Sequence, residues 1–397
     1  MALKLLDPQR LLDEAAASQG LTRYAESGIH ERFAGFVRRL NEVAGGVPED
    51  SYEAVSAQLR DMAVKRLKLA RDWHEEPGIL RQAVDKPFFV FGHLPYANSH
   101  VASLLTLDEG QRSPAFWEVN QPSPPPGSDP FADLMALEAA NEKVDKIVES
   151  VPLLLSINPE LDQAGMAAAE MDYMTALDFH TSHPLHLDKL PNPRPMYLPE
   201  NPRQACSFHK KLLQQFQWRN PVTRWVCRAR IERLEVASLL EVYPDALCLW
   251  VHSHPAEFVL NTLVARDLLL SSRKGGDYKI DPAFYVRELW ERIDGLMASP
   301  WLDDPRIMHI HFDRFLEDPM EAIGESYRRN DIPFSVDYEW MIASWLETAA
   351  SDPKRYGDFL PPLEKFGLDK QVIAETFRDY IARFGLEDNG LERKKRH

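Results

Sequence analysis

The sequence predicts an α/β fold, a parallel sheet flanked by helices, behind a helical N-terminal region spanning residues 1–85. Short apolar segments rich in aromatic and β-branched residues, two of them followed by a turn and a helical pattern, carry that expectation. The first is Pro87-Phe88-Phe89-Val90-Phe91, which meets Gly92 and then a periodic stretch from Val101 to Leu107. The second runs from Ala246 to His252, followed by Ser253-His254-Pro255 and a helical pattern from Ala256 to Leu270. Pro255 suits a first helical turn, where its missing N–H does no harm. The third runs from Ile307 to Phe312. Continuous apolar runs are what strands buried on both faces require, and strands alternating with helices give a parallel sheet.

Upstream of these units, Leu11, Leu12, Ala15 and Ala16, then Phe33, Phe36, Val37 and Leu40, recur at helical spacing between charged positions. The basic cluster Lys65 to Lys68 reads as a solvated helix face. The texture changes at Lys86, so residues 86–397 are expected to form the α/β part, packed with the helical region as one compact unit. Pro122 to Pro126 and Pro191 to Pro202 read as rigid surface loops, and residues 392–397 as a frayed basic tail.

Composition narrows the function. The 397 residues are 44% hydrophobic, enough for a sizeable core, and 46 Lys and Arg stand against 61 Asp and Glu for a net charge of -15. A general nucleic-acid binder needs a basic face, and an acidic surface is repelled by anionic lipid. No run approaches the ~20 apolar residues of a membrane span, and the first residues lack a signal-peptide pattern. Cys206, Cys227 and Cys248 have neither metal spacing nor the number for a disulfide framework. The expectation is a soluble cytoplasmic protein with a small-molecule partner, no nucleic acid and no membrane. Homo-oligomerisation is left open.

Several segments together resemble the sulfotransferases that use 3′-phosphoadenosine 5′-phosphosulfate (PAPS), in particular their bacterial small-molecule branch. The segments are Phe88 to Gly92, Ser113 to Val119 with Pro122 to Pro126, Gln217 to Pro221 with Arg224-Trp225-Val226, and Tyr243 to His252 with Pro255-Ala256-Glu257. Phe312 to Pro319 and Phe366 to Asp369 resemble the closing segments. The resemblance covers nearly the whole chain and implies the P-loop-like sulfotransferase fold. Its two cofactor motifs are rewritten here. Where the family has a phosphate loop with a basic residue, a glycine and hydroxyl side chains, this chain reads Leu94-Pro95-Tyr96-Ala97-Asn98-Ser99-His100. No Arg or Lys occurs between Lys86 and Arg112. Where the resemblance implies an Arg and a Ser on the 3′-phosphate, the chain has Ser253 and Asn261, with His254 in place of an Asp. Arg228 keeps a cation at a position where the family has a lysine.

Ligands of open α/β sheets bind at the carboxyl ends of strands, and histidines gather there: His93 after the first strand, His252 and His254 after the second, His309 and His311 on the third, and His100 in the following helix. Imidazoles supply acid–base groups near neutral pH, or ligate a transition metal. His93, His252, His254 and His311 are the candidate metal ligands, although no HExxH or zinc-ribbon spacing occurs. The candidate catalytic residues are His252, His254, His93, His100 and Glu232. Gly92, Tyr96, Asn98, Ser99, Arg228, Asn261 and His311 are the candidate binding residues. A second cluster, His180, His183 and His186, reads as part of a loop lid. Glu160, Glu170, Asp172 and Asp178 are weighed as acidic residues near an acceptor, and Tyr173, Phe208, Phe216, Trp218 and Trp225 as pocket aromatics or core.

The function expected is histidine-centred elimination or hydrolysis on an apolar, hydroxylated or anionic small molecule, without PAPS. Transfer of sulfuryl from PAPS to a hydroxyl is the alternative from the transferase class, and a non-catalytic partner of another enzyme is the third reading.

Overall fold

A computed structural model of the chain describes residues 3–24, 27–151, 154–155, 157–181, 199–274, 279–348 and 360–386. The N-terminal region contains α1 (Pro8–Ser18), α2 (Ser27–Ala44) and α3 (Tyr52–Glu75). Asp7 caps α1 by accepting from the Arg10 N–H. Two short strands, β1 (Leu3–Lys4) and β2 (Val47–Pro48), pair antiparallel beside them. Leu11, Leu12, Ala15, Ala16, Phe33, Phe36, Val37 and Leu40 form their core, and Ala176 and Phe179 from the body of the protein complete it. A buried carboxylate joins the two parts: Asp178 accepts from Arg32 at 2.8 Å, from Arg66, and bonds His180 Nε2 at 3.0 Å.

The central sheet is parallel, in the order β4-β5-β3-β6-β7. Its strands are β3 (Phe88–Gly92), β4 (Gln111–Arg112), β5 (Arg224–Arg230), β6 (Leu247–His252) and β7 (Ile307–His311). Side chains alternate across it. Phe88, Val90, Val226, Leu249 and Val251 face one core layer, and Phe89, Phe91, Trp225, Cys227 and Trp250 the other. Helix α4 (Pro95–Leu105) follows β3 after two residues, beginning earlier than its apolar period suggests because Pro95 is set for a first turn. Short α5 (Phe116–Asn120), long α6 (Pro130–Ser150) and short α7 (Met171–Ala176) lie between β4 and β5 in sequence, with α5 packed on α6 and α7 on β5. Helices α8 (Pro202–Gln217) and α9 (Val236–Val242) flank β5 in sequence. Helix α10 (Pro255–Lys274) leaves β6, and α11 (Pro282–Met297) packs beside it. After β7 come α12 (Phe312–Glu317), α13 (Pro319–Arg329), α14 (Val336–Leu346), α15 (Lys370–Thr376) and α16 (Arg378–Phe384). Among the described residues no helix is long and apolar enough to cross a membrane.

Gly92 is required where it stands. A Cβ there would lie 2.4 Å from the backbone oxygen of Val251 and 2.8 Å from Asn98 Oδ1. Only glycine lets β3 and β6 keep their register at the mouth of the site.

Candidate active site

The carboxyl ends of β3 and β5 open onto a cavity of about 460 Å³. The alternation of β5 builds its charged wall. Trp225, Cys227 and Ala229 point into one core layer, which sends Arg228 and Arg230 to the opposite face at the strand end. The apolar wall comes from Val144 and Ile147 of α6, Leu161, and Leu289 of α11. Phe116, Tyr173 and Tyr285 add aromatic surface.

The two strand-end arginines are held in fixed orientations. Arg228 donates to Ser99 Oγ and to the Ala168 carbonyl. Arg230 Nε donates to Glu170 at 2.9 Å, and a second nitrogen reaches Asn158 at 3.3 Å. Burial would raise the pKa of Glu170, yet Arg230, Arg228 and Arg233 together bring it below its ordinary value. Glu170 is therefore an ionised partner of the arginines.

Glu232 behaves differently. Burial dominates over the nearby Arg230 and Arg233, and its pKa is raised. Its side chain keeps 31% exposure because it faces the cavity. Glu232 Oε2 lies 3.9 Å from His93 Nδ1, too far for a hydrogen bond. His93 packs against Phe258 with ring centroids 4.9 Å apart, and burial, then Arg292, pushes its pKa down to about 3. His93 is thus a neutral imidazole at any pH near neutrality. Of the atoms along this cavity, His93 Nδ1 and Nε2, Glu232 Oε2, Asn261 Nδ2 and Arg292 Nε are buried without a hydrogen-bond partner. Native structures leave few such atoms, and each one demands an explanation.

The other histidines are engaged elsewhere. His252 bonds Tyr380 at 2.8 Å through Nδ1 and His309 at 2.9 Å through Nε2, and its ring stacks on Phe384 at 3.8 Å. Burial, followed by His309, His93 and His311, holds its pKa well below the usual value. It ties β6 to α16 and does not line the cavity. His254 accepts the Ala256 N–H at 3.2 Å and caps α10, with burial and Lys370 lowering its pKa to about 4. His311 caps α12 by accepting the Arg314 N–H at 3.5 Å and donates through Nε2 to the Gly385 carbonyl at 3.0 Å. His100 lies in an apolar setting of Phe312, Phe315 and Trp345. These four side chains are corrected from candidate site residues to positions outside the cavity, because neighbouring elements claim their nitrogens or bury them in the core. His93 and His311 lie near His252, yet no three potential metal ligands are placed to hold an ion among the described residues.

Of the remaining candidates, Glu232, Arg228 and Asn261 come together with His93 at the cavity. Arg228 is on a strand and Glu232 on the turn after it, so the two are not neighbours on one helix face. Gly92 ends β3 and Tyr96, Asn98 and Ser99 lie in the first turns of α4, but none of the four lines this cavity. Asp172 pairs with Arg233, and Asp178 with Arg66 and Arg32. Tyr173 lines the cavity, whereas Phe208, Phe216 and Trp225 are core. His183 and His186 fall outside the described residues. Arg230, Arg233 and Arg292 are cavity residues that the sequence did not single out for a role. The alternation of β5 would have disclosed Arg230; nothing local marks Arg292, which arrives from α11.

The architecture is the sulfotransferase fold. Sulfotransferase STF9 from Mycobacterium avium superposes with a TM-score of 0.73 at 20% identity, covering 96% of this chain and 97% of that one. Sulfotransferase STF1 from Mycobacterium tuberculosis H37Rv superposes with a TM-score of 0.68 at 16% identity, covering 95% of this chain and 100% of that one. No protein-family model and no curated protein matches the sequence.

The resemblance implies PAPS, and at its two cofactor positions this chain lacks the charged groups that the family pattern places there. A phosphate cradle needs free amides at the start of α4. Pro95 has none, and the Ala97 and Asn98 amides both turn back to the Leu94 carbonyl, at 3.1 and 3.2 Å. The Asn98 amide group fills the space above the strand ends, donating to the carbonyls of Gly92 at 3.3 Å and Ala229 at 3.5 Å. At the second motif, Ser253 and Asn261 are buried and bring no charge.

Proposed function

We propose that the chain is an enzyme of acid–base chemistry, a hydrolysis or elimination, acting on an amphipathic small molecule with an anionic group. The observation that carries the reading is the convergence of orphaned buried atoms, His93 Nδ1 and Nε2, Glu232 Oε2, Asn261 Nδ2 and Arg292 Nε, on one cavity. A carboxyl with a raised pKa in a cleft is the group proton transfer calls for. In its ionised form Glu232 accepts a proton from water or from the substrate, and in its protonated form returns it to the leaving group. His93, neutral beside it, donates or accepts a hydrogen bond to the reacting atom. Arg228 and Arg292 orient the anionic end, and the α6 wall takes the apolar portion.

The test is turnover of p-nitrophenyl hexanoate, p-nitrophenyl sulfate and p-nitrophenyl phosphate by the wild-type chain and by Glu232→Gln. We expect hydrolysis of at least one of them, reduced ~100-fold in the variant, with an unchanged melting temperature. A wild-type chain inert to all of them, or a variant as active as wild type, contradicts the reading.

A further inference from the structure

Helix α14 is apolar on both of its sides, although only one is buried. Tyr338 and Ile342 face the core, whereas Val336, Trp340 and Met341 stand 79%, 70% and 40% exposed. A surface helix needs a single apolar stripe, and one that is apolar all round is ordinarily covered on its second side too. Val and Trp are also mediocre helix formers, so neither stands in solvent for the sake of the helix. We propose that the outward face of α14 is a docking site for a basic, amphipathic helix of another protein. The inference does not rest on the acid–base reading.

Spacing and charge define the occupant. Val336, Trp340 and Ala343 are all exposed and fall at i, i+4 and i+7, which places them in one stripe down the helix. Such a stripe receives the apolar side of a partner helix laid along it. A largely exposed tryptophan is the side chain best suited to anchor the contact. At ~100° per residue Asp337 lies to one side of the stripe, Glu339 to the other, and Glu347 at its C-terminal end. All three are exposed, and among the described residues none of these carboxylates forms an ion pair. The arginines of α13, which packs against α14, are engaged on their own helix. Arg328 pairs with Glu321 and Glu325, and Arg329 with Glu325. The rim is therefore acidic, as is the whole chain with its net charge of -15. A second copy would bring the same carboxylates against themselves across a two-fold axis, and anionic lipid would be repelled. Lysines or arginines flanking an apolar stripe complement this rim.

The test uses two capped peptides of ~18 residues, five turns of helix, each with leucine on one side and either lysine or glutamate on the other. Calorimetry measures their affinity for the full chain, and sedimentation equilibrium measures the chain's state of association. We expect the lysine peptide to bind with a micromolar Kd that weakens in high salt, and the glutamate peptide not to bind. Trp340→Ser should weaken the lysine peptide at least ~10-fold. Glu347→Lys, which leaves a helix C-terminus favourable to cations, should weaken it several-fold. Wild-type melting temperatures report that both variants are folded. No saturable binding of the lysine peptide, equal binding of the two peptides, or undiminished affinity in a folded Trp340→Ser variant would each overturn the proposal. A wild-type dimer that Trp340→Ser dissociates would assign the face to a second copy and overturn it as well.

Discussion

Mild acid will destabilise this protein at a pH where its carboxylates are still ionised, because it buries neutral histidines. Burial is the main cause that lowers the pKa of His93 and His209 to about 3, and of His100 and His254 to about 4. In the unfolded chain the same side chains take up a proton near ~6.5. Below that pH the unfolded state binds more protons than the folded one, so stability falls as pH falls until the folded pKa is reached. Between pH 7.5 and pH 5.5 each such histidine costs about 1.4 kcal/mol, and the four together about 5 kcal/mol. That is comparable with the whole stability of a typical domain, roughly 5–15 kcal/mol. Glu118 and Glu232, raised by burial, work in the opposite direction and offset part of the loss. Urea unfolding followed by tryptophan fluorescence across pH 7.5, 6.5 and 5.5 measures the slope. His100→Phe isolates one contribution, since its ring already sits among Phe312, Phe315 and Trp345 with Nε2 unpartnered. The variant should match wild type at pH 7.5 and lose about 1.4 kcal/mol less by pH 5.5. Stability that stays flat over this range, or a His100→Phe variant with the wild-type slope, would refute the reasoning.

Three further outcomes are expected. Gly92→Ala forces a Cβ to within 2.4 Å of the Val251 oxygen, so urea denaturation should show a loss of about 3 kcal/mol or more. Asp178→Asn removes the carboxylate shared by Arg32, Arg66 and His180, and leaves Arg66 buried beside an uncharged neighbour; about 3 kcal/mol should be lost in the same assay. With Glu232 as the base, kcat/KM for a turned-over p-nitrophenyl substrate should rise with pH through a pKa above the ordinary carboxylate value. His93 should add no inflection of its own near ~6.5, because burial holds its pKa down at about 3.

The sheet was legible because its strands are buried on both faces. Phe88 to Phe91 and Leu247 to Val251 are apolar without interruption, and the alternating layers require that pattern. Strand β5 reads poorly by itself, since Arg224, Arg228 and Arg230 break the apolar run while Trp225, Val226 and Cys227 are core. The site was legible only in part. Strand-end position predicts that a residue is near the mouth of the cleft, and His93, Arg228 and Glu232 are there. It cannot predict what arrives from distant parts of the chain to claim the side chain. His252 has the same placement in sequence as His93, yet Tyr380 and His309 meet its two nitrogens, and Phe384 covers its ring. His93 is met by Phe258, which offers no hydrogen bond.

In the proposed reading Asn98 and Pro95 close the phosphate cradle, and an acid–base cavity lies beside it. Calorimetric titration of the full chain with 3′-phosphoadenosine 5′-phosphate tests this most directly. No saturable heat is expected, because the amides of Ala97 and Asn98 are bonded to Leu94 and residues 94–100 carry no Arg or Lys of their own. One-to-one binding with a micromolar Kd would contradict it and return the cleft to the nucleotide.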